Sequence, residues 1–337
     1  MACPDDRRPG RVDVGEAIAG VESPVMPRYG PPDALETPRF SGVRTFMRTP
    51  HVRELEDVDV AVVGIPTDDA VSFRSGARFG PEAIRSASAL LRRYNPILHV
   101  SVPEKLSIVD WGDAPTVPGY TLESLERTRA ALHEIASAGV VTLCLGGDHS
   151  MLLAELRALA AVHGPLGLVQ LDSHHDCWDE YCGQKVFQGS IVRRAVEEEL
   201  IDPARSIQAG RRGSLYGPED VQMPRELGID ALSYEELAAL GPAAFSLRAR
   251  NRVGGGPCFL SFDIDFVDPA FAPGTGTPEV GGPSSREALL YLRSLAGLDF
   301  RGFDCVEVAP QYDPSGVTAL VAANACFEML SLLALRR

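Results

Sequence analysis

The chain predicts an α/β fold: a single domain with a central, mostly parallel sheet and helices on both faces. Three observations carry that prediction. Short β-branched runs such as "VDVAVVGIP" and "VVTLCLGG" are apolar throughout instead of alternating, as strands buried on both faces are. Helix-period segments such as "TLESLERTRAALHEIASAG" separate them, so strand and helix alternate on the scale of a βαβ unit. No linker or internal repeat breaks the alternation, so one domain is expected over residues 51–337.

The elements follow in order. Residues 1–50, with "PVMPRYGPPDALETPRF", are Pro- and Gly-rich without periodicity and predict an irregular arm. The first strand is "VDVAVVGIP", and "GPEAIRSASALLRRY" is a helix with Pro81 in its first turn. "KLSIVDWGD" is a strand, followed by a helix that Gly139 ends. Strand "VVTLCLGG", helix "SMLLAELRALAAVHG" and strand "LGLVQLDSHHD" come next. "SIQAGRRG", "CFLSFDID" and "GFDCVEVAP" are further strands; "SREALLYLRSLAG" and "TALVAANACFEMLSLLALRR" are helices.

Composition narrows the function classes. The 337 residues are 45% hydrophobic, enough for a sizeable core. With 46 Asp+Glu against 32 Lys+Arg the net charge is −14, which disfavours nucleic acid and anionic membranes as partners and favours a cationic small molecule. The seven cysteines form no CxxC, and Cys144, Cys258 and Cys305 sit in apolar runs, as buried thiols of a reducing cytoplasm do. "MACPDDRRPGRVDVG" lacks the apolar core of a signal peptide, and no uninterrupted apolar run reaches membrane-spanning length. A cytoplasmic location without membrane or nucleic-acid partner is expected.

In parallel α/β sheets, ligands collect outside the carboxyl ends of the strands. Three motifs fall there: "GGDHS" after "VVTLCL", "DSHHD" after "LGLVQL", and "DID" after "CFLSF". They offer His149, Asp172, His174, Asp176, Asp263 and Asp265. Asp172, His174 and Asp176 are spaced two apart, which in extended chain puts them on one face, and Asp263 and Asp265 repeat the spacing. So many carboxylates at close quarters repel unless cations bind between them. Carboxylate and imidazole donors without thiolate suit a first-row divalent ion such as Mn²⁺ better than a structural zinc site, and six donors are enough for two ions. A lone Asp-x-His-x-Asp is as often structural as metal-binding; the coincidence of three motifs at three strand ends carries the case. Asp148 is placed to cap the next helix or to orient a ligand. "GGDHS" and "GTGTPEVGG" could cradle phosphate, but neither has a Walker lysine or a dinucleotide fingerprint. His51, His99, His133 and His163 are isolated and expected to be structural or on the surface.

As a set, "SFRSGARFGPEAIR", "GGDHS", the Asp-x-His-x-Asp segment, "SFDIDFVDPAFAPGTGTPEVGG" and "VEVAPQYD" resemble the ureohydrolase family of arginases, agmatinases and related amidinohydrolases. The resemblance runs from about Pro38 to the C-terminus, and "APGTGTPEVGG" and "GARFGPEAIR" are closer to the agmatinase branch. It implies a three-layer α/β/α domain assembled into a homo-oligomer, a trimer or hexamer. It also implies two divalent ions, Mn²⁺ foremost, on the six donors named above. It further implies that Glu307 in "VEVAP" binds a guanidinium and that Thr277 shapes the substrate site. Two positions depart from the family pattern. Ser173 and His175 flank the middle histidine, where the family has a small residue and then Thr or Ser. Gln188 in "VFQGS" replaces a histidine that the family is proposed to use for proton shuttling or substrate contact; glutamine can hydrogen-bond but cannot titrate.

The implied reaction is hydrolysis of a guanidino compound to urea and a primary amine. Agmatine is the default substrate; 4-guanidinobutyrate or a guanidino-bearing specialised metabolite is the alternative. Asp176 would pass a proton to the departing amine. His175, one residue past His174 and so facing the other way in extended chain, is expected to be supporting or structural, with a second proton route beside Gln188 as the alternative. "CWDEYCGQKVF" is placed to line the entrance, with Trp178 as an apolar wall and Asp179 or Glu180 meeting a distal ammonium; a solvated acidic loop is the plainer alternative. A reading from another class, a catalytically silent metal-binding assembly subunit, is motivated by Gln188 and opposed by the intact donor set and Glu307.

Overall fold

The computed structural model describes residues 27–337. Eight strands form the main sheet: β1 (Val60–Ile65), β2 (Ile108–Asp113), β3 (Val141–Gly146), β4 (Gly167–Leu171), β5 (Ile207–Arg211), β6 (Asp230–Ser233), β7 (Pro257–Asp263) and β8 (Asp299–Val306). They lie in the order β2-β1-β3-β8-β7-β4-β5-β6, every neighbouring pair parallel. The longer helices are α1 (Gly80–Ser88), α2 (Thr121–Ser137), α3 (Leu152–His163), α4 (Ile191–Glu197), α5 (Tyr234–Val253), α6 (Ser285–Ser294) and α7 (Val317–Ala334).

The unbroken apolar strands have a simple consequence. Along β1, Val60 and Val62 enter one core while Ala61, Val63 and Ile65 enter the other, because successive side chains leave opposite faces. The first core is closed by α1, α5, α6 and α7, the second by α2, α3 and α4. The result is the expected three-layer α/β/α architecture. Caps fix the helix starts: Ser233 with Glu236 and Ser284 with Glu287 form reciprocal capping boxes on α5 and α6.

Chain order and sheet order part at one place that matters. From β3 the chain does not return beside its neighbour but crosses to β4, and β8 and β7 later fill the space between. Four adjacent central strands, β3, β8, β7 and β4, therefore present their carboxyl ends together.

The structure corrects several expectations. The arm expected over residues 1–50 falls outside the described residues up to 26. Beyond that, the packed body begins at Thr45 rather than at residue 51: Phe46 and Met47 are buried in the first core, and the Phe46 N–H donates to Asp110 Oδ2 at 2.8 Å. The first helix stops at Ser88, and Tyr94–Asn95 pairs with Val100–Ser101 in a small antiparallel hairpin instead. β4 stops at Leu171, and residues 172–176 turn, with Asp176 at φ 50°, so the extended face assumed for that segment does not form. β6, α4 and α5 were not anticipated. α5 hides its period because Gly241, at φ 69°, and Pro242 break it into two helices. α7 is 18 residues with a mean hydropathy of 1.7, long and apolar enough to cross a membrane, yet 83% of it is buried as the core helix of its layer.

Candidate active site

The six acid and imidazole donors converge at the carboxyl ends of three of the four central strands. His149 follows β3 in a 3-10 turn, Asp172, His174 and Asp176 follow β4, Asp263 ends β7, and Asp265 lies in the turn after it. His149 Nδ1 lies 2.9 Å from Asp176 Oδ2, 3.2 Å from Asp172 Oδ2 and 3.4 Å from Asp263 Oδ2. His174 Nδ1 lies 3.0 Å from Asp265 Oδ2 and 3.6 Å from Asp172 Oδ1. Two compact donor groups result, His149–Asp172–Asp176 and Asp172–His174–Asp265, sharing the two oxygens of Asp172.

The hydrogen bonds around His149 test whether a cation fits. Ser261 Oγ donates to Asp304 Oδ1 at 2.8 Å, so its lone pair is left to accept from His149 Nε2–H, also at 2.8 Å. In the neutral ring the Nδ1 lone pair then faces three carboxylate oxygens, and this buried atom has no hydrogen-bond partner. Burial disfavours a charged imidazole, yet Asp172, Asp176 and Asp263 hold His149 well above the ordinary histidine value. Burial, and next Asp172, push Asp176 up to about 6. Burial, with Asp265 behind it, pushes Asp263 well above the usual carboxylate range. Asp172 differs: against the upward push of burial, His149 and His174 hold it below the ordinary carboxylate value, so it stays ionised between the two rings. Three buried carboxylates around His149, two of them gaining proton affinity, call for positive charge, and oxygen and imidazole donors suit a divalent ion.

Glu307 follows β8 at φ 63°. With Asp176 it is one of two non-glycine residues held in the left-handed region at this site, where such strain is tolerated for what it positions. Its Oε1 accepts from the His149 N–H at 2.8 Å, while Oε2 is buried without a partner. Burial, and next Asp148, push its carboxyl well above the usual range, so a cationic guest would relieve it. Asp148 itself caps the turn, accepting from Ser150 N–H at 2.8 Å. Gly147 allows the close approach of strand ends: a side chain there would strike the carbonyls of Ile65 and Thr67. The second glycine-rich loop holds no anion cradle either, since Gly281 and Gly282 donate to Asp268 Oδ2 at 2.7 and 3.0 Å.

A cavity of about 340 Å³ opens over the cluster, lined at its inner end by His149, His174, Asp176, Asp263, Thr277 and Glu307. Trp178 and Gln188 line it as expected. Thr277 Oγ1 lies 3.4 Å from Asp265 Oδ2, and Gln188 Nε2 lies 3.3 Å from Ser72 Oγ. Two expectations fail. Asp179 is outside the cavity because Arg194, at 2.6 Å, and Lys185, at 3.6 Å, draw its carboxylate away; Glu180 lines the wall instead. His175 offers no proton route: it is buried behind the site, packs at a tilt against Trp178 with ring centroids 4.4 Å apart, and accepts from Cys177 N–H at 2.9 Å. Burial lowers its pKa to about 4, so it is neutral.

The model of the family described as "Arginase family" matches residues 58–331. The chain belongs to the arginase family. The guanidinopropionase of Pseudomonas aeruginosa is 44% identical to it over 90% of this chain and 96% of that protein. The mitochondrial agmatinase of Gallus gallus is 43% identical over 90% of this chain and 89% of its own length. Among solved structures, the proclavaminate amidino hydrolase from Streptomyces clavuligerus matches with a TM-score of 0.85 at 39% identity, covering 88% of this chain and 99% of that one.

Motif reading missed the residues that orient the donors in this arginase-family chain. Gln170 Nε2 donates to Asp172 Oδ2 at 2.7 Å and to Asp176 Oδ2 at 3.2 Å, and its Oε1 accepts from Gln208 at 2.6 Å. Arg212, buried, donates to the carbonyls of Asp265 and Glu279 at 2.7 and 2.8 Å, tying the β7 turn to the cavity wall. A signal existed for Gln170, Gln208, Ser261 and Asp304. Each is a polar residue within the buried stretch of a largely apolar strand, where it must find a partner.

Proposed function

We propose that this arginase-family chain hydrolyses a linear guanidino compound to urea and a primary amine at a two-ion metal centre. The observation that carries the reading is the pair of donor groups joined through Asp172, with the unpartnered Glu307 Oε2 beside the same cavity. The ions would be held by His149, Asp172, His174, Asp176, Asp263 and Asp265, with Mn²⁺ foremost. When bound, they supply the Lewis acidity that makes water nucleophilic at neutral pH.

The chain's own groups do the rest. Glu307 is held at Oε1 by the His149 N–H, so Oε2 is free to accept a guanidinium N–H in a charge-assisted bond. Anchoring that end fixes the guanidinium carbon near the donor cluster, which replaces a chance encounter by a positioned one. Asp176 takes a proton from the attacking water and delivers it to the departing nitrogen as the C–N bond breaks. The water oxygen ends in the urea carbonyl, its second proton also passes to the departing nitrogen, and the positive charge that entered on the guanidinium leaves on the ammonium. Gln188 can only hydrogen-bond in this scheme, and His175 stands behind the wall.

Agmatine and 4-guanidinobutyrate are the substrate candidates. A cytoplasmic setting agrees with the free buried thiols of Cys144, Cys258 and Cys305. A homo-oligomer agrees with Leu35, Phe40 and Val43, which are exposed on the segment before the body. The test is urea release. Mn²⁺-loaded protein should produce urea from a guanidino panel and lose that activity on chelation, regaining it when the metal returns. Two bound ions with no urea from any member would replace this reading by the silent-subunit one.

A further inference from the structure

We propose that the substrate carries a cationic group at the end away from its guanidinium, and that Glu180 with Glu279 reads it; this rests on the amidinohydrolase reading of the same cavity. The outer wall carries it. Beyond the donor cluster and Glu307, the charged side chains that line the cavity are Glu180 and Glu279, the latter nearer the cluster with its Oε1 4.0 Å from His174 Nε2, and no lysine or arginine lines it among the described residues. Four bases near the cavity have other occupations. Lys185 and Arg194 are bound to Asp179, Arg212 to backbone carbonyls, and Arg74 lies over the Tyr312 ring while donating to the Gly276 carbonyl. Glu180 itself makes no ion pair or hydrogen bond among the described residues.

The rings agree with the charges. Trp178, Tyr181, Tyr216 and Phe187 line the same cavity, and aromatic faces attract an ammonium and gain nothing from a carboxylate. At about 340 Å³ the space suits one linear molecule with its guanidinium at Glu307 and its other end among these groups. A carboxylate tail would enter a wall already carrying two carboxylates with no cation to meet it. Glu180 is therefore a specificity-determining residue, and the preferred tail differs from the one in the name of the Pseudomonas guanidinopropionase.

The experiment compares kcat/KM of the Mn²⁺-loaded full chain for agmatine and for 5-guanidinopentanoate, which has the same number of methylenes. Agmatine should be favoured at least about tenfold, since like charges across an interface are strongly disfavoured. Glu180→Gln should narrow the ratio about fivefold through KM, the size of an exposed ion pair, and Glu180→Lys should narrow it further. Equal or better use of the carboxylate, or a ratio that Glu180→Gln does not move, would overturn the inference. Calorimetry with 1,4-diaminobutane and 5-aminopentanoate separates the two claims. If neither guanidine nor any other member of the guanidino panel yields urea, the hydrolase reading has failed, and tail recognition is then decided by which amine binds. Tighter diamine upholds it; equal or tighter amino acid defeats it.

Discussion

The two ends of the cavity are built by different rules. At the inner end every donor sits on or just past a central strand, almost all are buried, and a further layer of side chains holds them. Gln170 orients Asp172 and Asp176, Ser261 and Asp304 orient His149, and the His149 N–H holds Glu307. At the outer end the mouth loop between Asp179 and Lys185 is exposed throughout and holds Glu180 by no such partner. The contrast assigns chemistry to the rigid end and selection to the loop, because a reacting geometry tolerates little displacement while a tail-binding wall can vary.

Two predictions sharpen that contrast at the inner end, and both should exceed anything the mouth produces. Glu307→Gln is the larger. Glutamine keeps the acceptor for the His149 N–H but removes the charge that would meet the guanidinium. Losing one partner of a buried charge pair costs about 3 kcal/mol, or roughly 150-fold in kcat/KM. A loss under tenfold, with the fold intact by circular dichroism, would place the guanidinium elsewhere. Next comes Ser261→Ala, which removes the hydroxyl that fixes the His149 ring and does not itself line the cavity. Outer partners of ligating histidines are typically worth about 10–100-fold in metal affinity. Competition with a metal-binding dye should show that weakening, and an unchanged affinity would remove His149 from the donor set.

The same contrast explains what could be foreseen from the amino acids alone. The parallel sheet was legible because strands buried on both faces have no choice but to be apolar throughout, and the helices between them keep their period. The donors were legible because acids and histidines just past such strands have few other reasons to be there. Asp172, His174 and Asp176 nevertheless do not share one face of an extended chain: they meet through a turn with Asp176 in the left-handed region, which residue spacing does not encode. Asp179 was misplaced, and the alternative proton route through His175 closed, for a related reason. Whether a loop carboxylate faces a cavity depends on competitors such as Arg194, 15 residues away in the chain, and whether a histidine titrates depends on burial behind Trp178. Alternation locates strand ends; it does not say which way a loop side chain turns.

Gln188 lies where the two ends meet, and it yields the smallest expected effect. Its Nε2 is 3.3 Å from Ser72 Oγ, and it lines the cavity without a hydrogen bond to the donor cluster. As an amide it has no proton to lose, and the adjacent route is closed because burial holds His175 neutral with a pKa of about 4. The wild-type rate should therefore show no inflection from a histidine near neutrality. Gln188→His would introduce an imidazole whose ordinary value is about 6.5. If that ring carries protons out of the cavity, it works as a base in its neutral form, so kcat should gain a limb that falls as pH drops through about 6.5. The change at pH 8 should stay within about tenfold, roughly 1.4 kcal/mol, because the donors and Glu307 are untouched. A pH profile of kcat identical to wild type would mean that position 188 only shapes the wall, and that proton exchange follows Asp176 and solvent without it.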